Sequence, residues 1–149
     1  MKKGTSLSVS VQYADDSEPQ PRSRVRSLVR AALPDGGEVV VRFVRQTEMA
    51  TLNHQTRGKT GATNILSFAY PSVADNIVRG DIVICPQIAT RDAVQYQKPP
   101  AHHLAHLIVH GVLHLAGYRH DTATTAAKME AAERTILQRF NIADPYLLP

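Results

Sequence analysis

The 149-residue chain has no tryptophan, three phenylalanines and a single cysteine, Cys85. One cysteine excludes a disulfide within the chain, so any staple beyond the core must be of another kind. No apolar run approaches the ~20 residues needed to cross a bilayer, which excludes a spanning helix in this sequence. The opening, MKKGTSLSVSVQYADD, carries two lysines but neither an apolar stretch nor a small-residue cleavage site, and is not expected to act as a secretory leader. Repeats, low-complexity tracts and domain-sized linkers are missing too. A chain of this size, within the ~100–150 residues that build one core, is expected to form one domain over residues 1–149, in the cytoplasm and away from membranes.

What is present begins with charge. The formal net charge is +4 and the pI about 9.5, which agrees with an anionic partner without establishing one. Arg22, Arg26 and Arg30 recur every four residues on one helical face, with Val25, Leu28, Val29 and Leu33 opposite. Such a stripe either meets phosphates or is a solvated face, and the second is the commoner meaning of a charge run.

Leu7, Val9, Val11 and Tyr13 alternate with small or polar residues as a half-buried strand does. DDSEPQP reads as a loop and the arginine-rich helix follows it. PDGGE ends that helix and leads into EVVVRFVR, a β-branched second strand. TEMATLNHQTRG is expected as a short helix, with Thr47 as N-cap and Gly58 as its stop. The loop GKTGATN leads to ILSFAY, a third strand, and VRGDIVICP supplies a fourth, with Pro86 suited to the first turn of the next helix. HHLAHLIVHGVLHLAG reads as one periodic helix to Gly117, and TATTAAKMEAAERTILQRF as the last, N-capped by Asp121. About four strands and about five helices without strict alternation predict an α+β fold with a mixed sheet.

The chemistry concentrates in HGVLHLAGYRH, residues 110–120. Residues on a helix turn by about 100° each, so His110 and His114 share a face one turn apart. A third ligand must come from a chain that bends, and Gly117 suits the left-handed conformation that ends helices. Past it, His120 can return toward the first two. Three neutral imidazoles with an open fourth position describe a catalytic metal site at the C-terminal end of a central helix, as in zincins. His102, His103 and His106 lie upstream on the same helix. His106 is placed behind the ligands or facing substrate, because only the His110/His114 pair has a glycine turn and a third histidine close behind it.

The same spacing occurs in metzincin proteases, H-E-x-x-H-x-x-G-x-x-H, where the glutamate is the general base. Gly111 stands in that position here. The proton acceptor of peptide hydrolysis is therefore missing, which counts strongly against a protease.

HGVLHLAGYRH, with LNHQTRGKTGATNILSFAY and GDIVICPQIA upstream and MEAAE downstream, resembles the YbeY family of bacterial metal-dependent endoribonucleases, tied to ribosomal RNA maturation and ribosome quality control. The likeness runs through most of the chain after about Glu48. It implies His110, His114 and His120 as metal ligands and Arg57 as the functional arginine of the loop before the LSF strand. Two positions depart from the family pattern: Thr60 follows Lys59, and Arg119 precedes the third histidine, where family members often carry Asp.

From the resemblance we expect a single-strand-specific metallo-endoribonuclease acting on ribosomal RNA, at the 16S rRNA 3' end, with the ribosome or a subunit as partner. One divalent ion is expected, zinc first, although three imidazoles also suit Ni or Cu. Arg57 would bind the scissile phosphate and offset transition-state charge. Lys59 and Tyr118 are further candidates for substrate contact, the first by charge and the second by base stacking. No carboxylate presents itself as a general base; Asp81 and Asp121 are near in sequence only, and a strand-end bond and a helix cap account for them. Cys85 reads as a buried strand thiol. The competing expectation is a non-catalytic ribosome-assembly factor with a structural metal.

Overall fold

β-branched residues, alternating in β1 (Leu7–Tyr13) and consecutive in β2 (Gly37–Phe43) and β4 (Arg79–Ile84), build the strands, and glycine and proline punctuation separates them from the helices. The computed structural model describes residues 6–14, 17–71 and 76–147; MKKGT at the start, part of the DDSEPQP loop and the last two residues of the tail lie outside them. In chain order the elements are β1 (Leu7–Tyr13), α1 (Arg22–Ala32), β2 (Gly37–Phe43), α2 (Gln46–Arg57), β3 (Ile65–Ala69), β4 (Arg79–Ile84), α3 (Pro86–Gln95), α4 (Pro100–Leu115) and α5 (Ala123–Gln138). Among the described residues, four strands in one mixed sheet with five helices make the fold α+β, as expected.

The sheet order is β1-β2-β4-β3. β1 and β4 flank β2 in parallel, and β3 closes one edge antiparallel to β4. The parallel pairs need crossovers, which α1 and the α2–β3 excursion provide. The β3–β4 register sets Ile65 opposite Ile84, Ser67 opposite Ile82 and Ala69 opposite Gly80.

α4 is the central helix. It packs on β3 and β4 and is flanked by α1, α3 and α5, so Leu104, Ile108, Val109, Val112 and Leu113 are buried around most of its circumference. Together with Val25, Leu28 and Val29 of α1, Val41 of β2, Ile82 and Ile84 of β4 and Leu137 of α5 they form the main core. Each such side chain contributes about 1.5–3 kcal/mol by leaving water. A smaller cluster of Val44, Met49, Leu66, Val83, Cys85 and Ile88 lies under α2 and α3, and buries the Cys85 thiol as expected.

Two glycines allow α4 to lie this close to the sheet. A Cβ on Gly111 would come within 2.9 Å of Ile65 Cδ1 and 3.2 Å of Ile82 Cδ1, and one on Gly80 within 2.7 Å of the Phe68 carbonyl oxygen. The position that carries the protease glutamate in metzincins therefore faces the sheet here, with no space for a side chain.

Two helix starts differ from expectation. α2 begins one residue before Thr47, after an extended Arg45 with no side-chain cap. Thr47 instead lies within the first turn, its carbonyl accepting a bond from Thr51 Oγ1 at 3.1 Å. α5 is capped by Thr122 rather than Asp121: Thr122 Oγ1 accepts from the Thr125 backbone N–H at 3.1 Å, and Thr125 Oγ1 accepts from the Thr122 N–H at 3.0 Å. Thr125 thus does what Glu or Gln does in the usual capping box. Asp121 supports it from outside, accepting a bond from Thr125 Oγ1. The arginine stripe lies on an exposed face of α1, where Arg22 stacks over the Tyr13 ring and pairs with Glu18.

Candidate active site

His110 and His114 project from the last turns of α4, and the way the helix ends decides where His120 goes. The Gly117 N–H donates to the His114 carbonyl and the Tyr118 N–H to that of Leu113, both at 3.0 Å. Gly117 has φ of 103°. This is a Schellman ending, and it turns the chain back on the helix axis. His120 thereby meets the other two: ring centroids lie 4.7 Å apart for His110–His114, 4.8 Å for His114–His120 and 5.6 Å for His110–His120. Each residue offers a ligand atom within 4.8 Å of the others'. Among the described residues no hydrogen bond joins the three rings.

Protonation favours ligation. Burial lowers the His114 pKa, and the neighbouring His110 and His120 lower it further, against opposing contributions from the Tyr118 backbone and Glu133. Its imidazole is thus neutral at physiological pH, the form that binds metals. His110 Nδ1 is engaged with Glu133 Oε2 at 2.8 Å, which leaves Nε2 as the ligating atom. Three nitrogen donors, one oriented from behind by a carboxylate, suit a divalent metal ion.

The rings open on a cleft of about 510 Å³. Arg57, Ser67, His110, His114 and His120 supply its polar lining and Ile65 and Leu115 part of its apolar wall; among the described residues no carboxylate lines it. Period-two alternation along β3 turns Ser67 toward the cleft, while Leu66 is buried among the apolar residues of the smaller cluster.

Arg57 ends α2, and Gly58, at φ 65° and ψ 19°, stops the helix there as the sequence indicated. The loop beyond is braced at both ends. The buried Asn53 donates from Nδ2 to the Gly61 carbonyl at 2.9 Å. Asn64 accepts from the Cys85 N–H at 2.9 Å and donates from Nδ2 to Asp92 at 3.2 Å. Arg57 is itself exposed and lines the cleft, where its planar guanidinium can bind an anion in bidentate fashion.

The remaining sequence candidates fall elsewhere. Lys59 is exposed and does not line the cleft. Tyr118 lines a shallower hollow beside it, with Gly117, Arg119, His120 and Asp121. His106 does not reach the cleft; its Nε2 bonds Glu133 Oε2 at 2.7 Å, and its ring helps to line a separate cavity of about 260 Å³. Asp81 accepts a bond from the Tyr70 hydroxyl, a strand-end role as anticipated.

Glu133 has no assigned role in the sequence reading, although MEAAE contains it. Its side chain is 0% exposed, and it gathers His106, His110 and the Tyr146 hydroxyl, the last at 2.5 Å from Oε1. Burial pushes its carboxyl up, but the bonds from the two histidines and the tyrosine outweigh this and hold it at about 2. Burial and the same carboxylate push the Tyr146 phenol well above its ordinary value. The signal in the sequence was a lone acid on the apolar stripe Met129, Glu133, Ile136, Leu137.

Fold and site together define an α+β protein with the ligand spacing of the zincin metallohydrolases. A family profile described as Endoribonuclease YbeY matches residues 9–141. The chain is 43% identical over 141 residues to "Endoribonuclease YbeY" of Thiobacillus denitrificans, covering 94% of this chain and 96% of the relative. It is 42% identical over 153 residues to the protein of that name in Bordetella pertussis, covering 96% and 98%. The chain belongs to the endoribonuclease YbeY family. A solution structure of TM1509 from Thermotoga maritima shares the fold, with a TM-score of 0.61 at 20% identity, over 93% of this chain and 99% of that one. No helix among the described residues is long and apolar enough to cross a membrane.

Proposed function

We propose that this chain is a metal-dependent endoribonuclease that cleaves phosphodiester bonds in single-stranded ribosomal RNA, at the 3' end of 16S rRNA and in ribosome quality control, in the cytoplasm. The observation that carries this reading is the cleft, whose lining Arg57 shares with three imidazoles and, among the described residues, with no carboxylate. An anionic phosphate meets no like charge in its lining, and the family relationship supplies RNA as the substrate class.

His110, His114 and His120 would hold the ion, with zinc the first candidate for three imidazole donors. When bound, such an ion supplies a Lewis acid to a phosphoryl oxygen and acidifies water at its open position. The protein contributes the rest. Arg57 binds a non-bridging phosphate oxygen and offsets the charge that grows on it, with hydrogen bonds stronger for being ionic. Ser67 Oγ, at the cleft wall, donates to the same group. Glu133 keeps the proton of His110 on Nδ1, so Nε2 stays available. The apolar wall of Ile65 and Leu115 excludes water on one side and strengthens these contacts. Lys59 and Tyr118 contact the nucleotides that flank the scissile bond, and the ribosome or a subunit presents the strand.

The test is a cleavage time course on a labelled single-stranded RNA with wild type, Arg57→Ala and His114→Ala, each with and without chelator. Cleavage by untreated wild type alone, with Arg57→Ala retaining its metal and losing about 10²–10³ in rate, supports the nuclease. Equal cleavage in all lanes identifies a contaminant. No cleavage by a wild type that holds metal and binds ribosomes replaces the reading with a non-catalytic assembly factor.

A further inference from the structure

Behind the three-histidine cluster, and sharing His110 with it, lies a second group of side chains contributed by three parts of the chain. Glu133 comes from α5, His106 and His110 from α4, and Tyr146 from the C-terminal segment, beyond the residues matched by the family profile. One carboxylate oxygen, Oε2, takes both histidines at 2.7 and 2.8 Å, while Oε1 takes the Tyr146 hydroxyl at 2.5 Å.

We propose that Tyr146 is a positioning residue for metal binding: by holding Oε1 it fixes the plane of the Glu133 carboxylate, and through it the ring of His110. The inference rests on the reading that His110 is a metal ligand. A terminal carboxylate torsion is broad and roughly two-fold, so a single anchored oxygen leaves the group free to swing. Anchoring the second oxygen stops that motion, and a fixed Oε2 dictates both the tautomer and the orientation of His110.

The C-terminal segment is held as such a role requires. The Tyr146 N–H donates to Asp144 Oδ1 at 2.9 Å, and Arg134 Nε, adjacent to Glu133 on α5, donates to Asp144 Oδ2 at 2.6 Å. Lys98, between α3 and α4, donates to the Leu147 carbonyl at 2.7 Å. The Tyr146 ring stands edge-on to that of His106, with centroids 5.5 Å apart and planes 82° apart. The segment is thus tied to α5 on one side and to the start of α4 on the other, with its hydroxyl aimed at a carboxylate that no solvent reaches.

The experiment measures Zn2+ affinity by competition with a chromogenic chelator at neutral pH, for wild type, Tyr146→Phe, Glu133→Gln and the double variant. Circular dichroism of each metal-free protein monitors the fold. Glu133→Gln is expected to weaken binding about 10–100-fold and Tyr146→Phe by about 10-fold, toward the lower end of what partners of ligating histidines contribute. Because the tyrosine acts through the glutamate, the double variant should bind no more weakly than Glu133→Gln alone. Arg134→Gln, which loosens the anchor at Asp144 without touching the carboxylate, should weaken Zn2+ in the same direction by a smaller factor. An unchanged affinity in Tyr146→Phe, or losses that simply add in the double variant, overturns the inference. Failure of wild type itself to bind Zn2+ overturns the reading of the three-histidine site, and the role of Tyr146 with it.

Discussion

His110 belongs to two clusters of opposite character. On the cleft side it meets His114 and His120, three rings with no hydrogen bond between them and an open face beyond. On the inner side it meets Glu133, whose two oxygens receive three protein donors in a place no solvent reaches. His106, His110 and Glu133 also lie close enough to hold an ion, yet their spacings are those of hydrogen bonds and each is already partnered. The inner cluster's donors are spent on one another, whereas the three cleft imidazoles are close enough together to suit a shared metal ion.

The largest effect that separates the two sides is His114→Ala. It removes one of the three cleft imidazoles and leaves Glu133 untouched, so metal content measured after dialysis should fall to background and RNA cleavage with it, while the metal-free protein keeps its far-ultraviolet dichroism. Retention of one equivalent of tightly bound metal would move the site to the inner cluster.

Next comes Gly111→Glu, which restores the metzincin signature in sequence but not in space. The new carboxylate would have to enter between Ile65, Ser67 and Ile82. An unpartnered buried charge costs about 3–5 kcal/mol, so thermal unfolding should shift to markedly lower temperature with no gain of casein hydrolysis. A stable variant that cleaves peptides would refute both the packing and the choice of substrate class.

Acid should separate the clusters by pH. His114 has a folded pKa below its unfolded 6.5, so the unfolded chain takes up the proton first. The contribution of His114 to the stability of the metal-free protein is therefore complete above 6.5 and is lost as pH falls below it. Glu133 is shifted from 4.5 to about 2; its contribution is complete above 4.5 and is lost between 4.5 and about 2. Denaturant melts of the metal-free protein across this range should show the two losses in that order, with the first reduced in His114→Ala and the second in Glu133→Gln.

The smallest effect is expected from Lys59→Ala. An exposed lysine outside the cleft lining adds general attraction to RNA that salt screens. Its loss should lower cleavage only about two- to threefold at low salt and less at higher salt. A loss comparable to that of Arg57→Ala would mean that the loop closes over the substrate.

The two sides also differ in how legible they were. The cleft side was written locally: H-x3-H-x5-H with a glycine in the bend is a statement about one helix and its ending, and the helix kept it. Arg57 was found through likeness to a family, and Gly58 marked its helix end correctly. The inner side escaped because its members are scattered. Glu133 follows His110 by 23 positions and precedes Tyr146 by 13, and nothing local distinguishes an acid on an apolar face from an irregular amphipathic pattern. His106 was placed behind the ligands or toward substrate, and only the carboxylate it meets separates the two. The cap of α5 shows the same limit at short range, since Asp121 and Thr122 are both good capping residues and the backbone direction entering the helix chose the second.

By itself, then, the sequence determined the elements, the mixed α+β class, the buried thiol and the three converging histidines, because alternation, helical period and glycine stops act over a few residues. Tertiary structure alone decided that Gly111 lies against β3, that no carboxylate among the described residues lines the cleft, and that Glu133 binds His106, His110 and Tyr146. Those outcomes depend on how α4 settles between the sheet and α5, and packing of that kind is set by the summed fit of distant side chains, which no local spacing encodes.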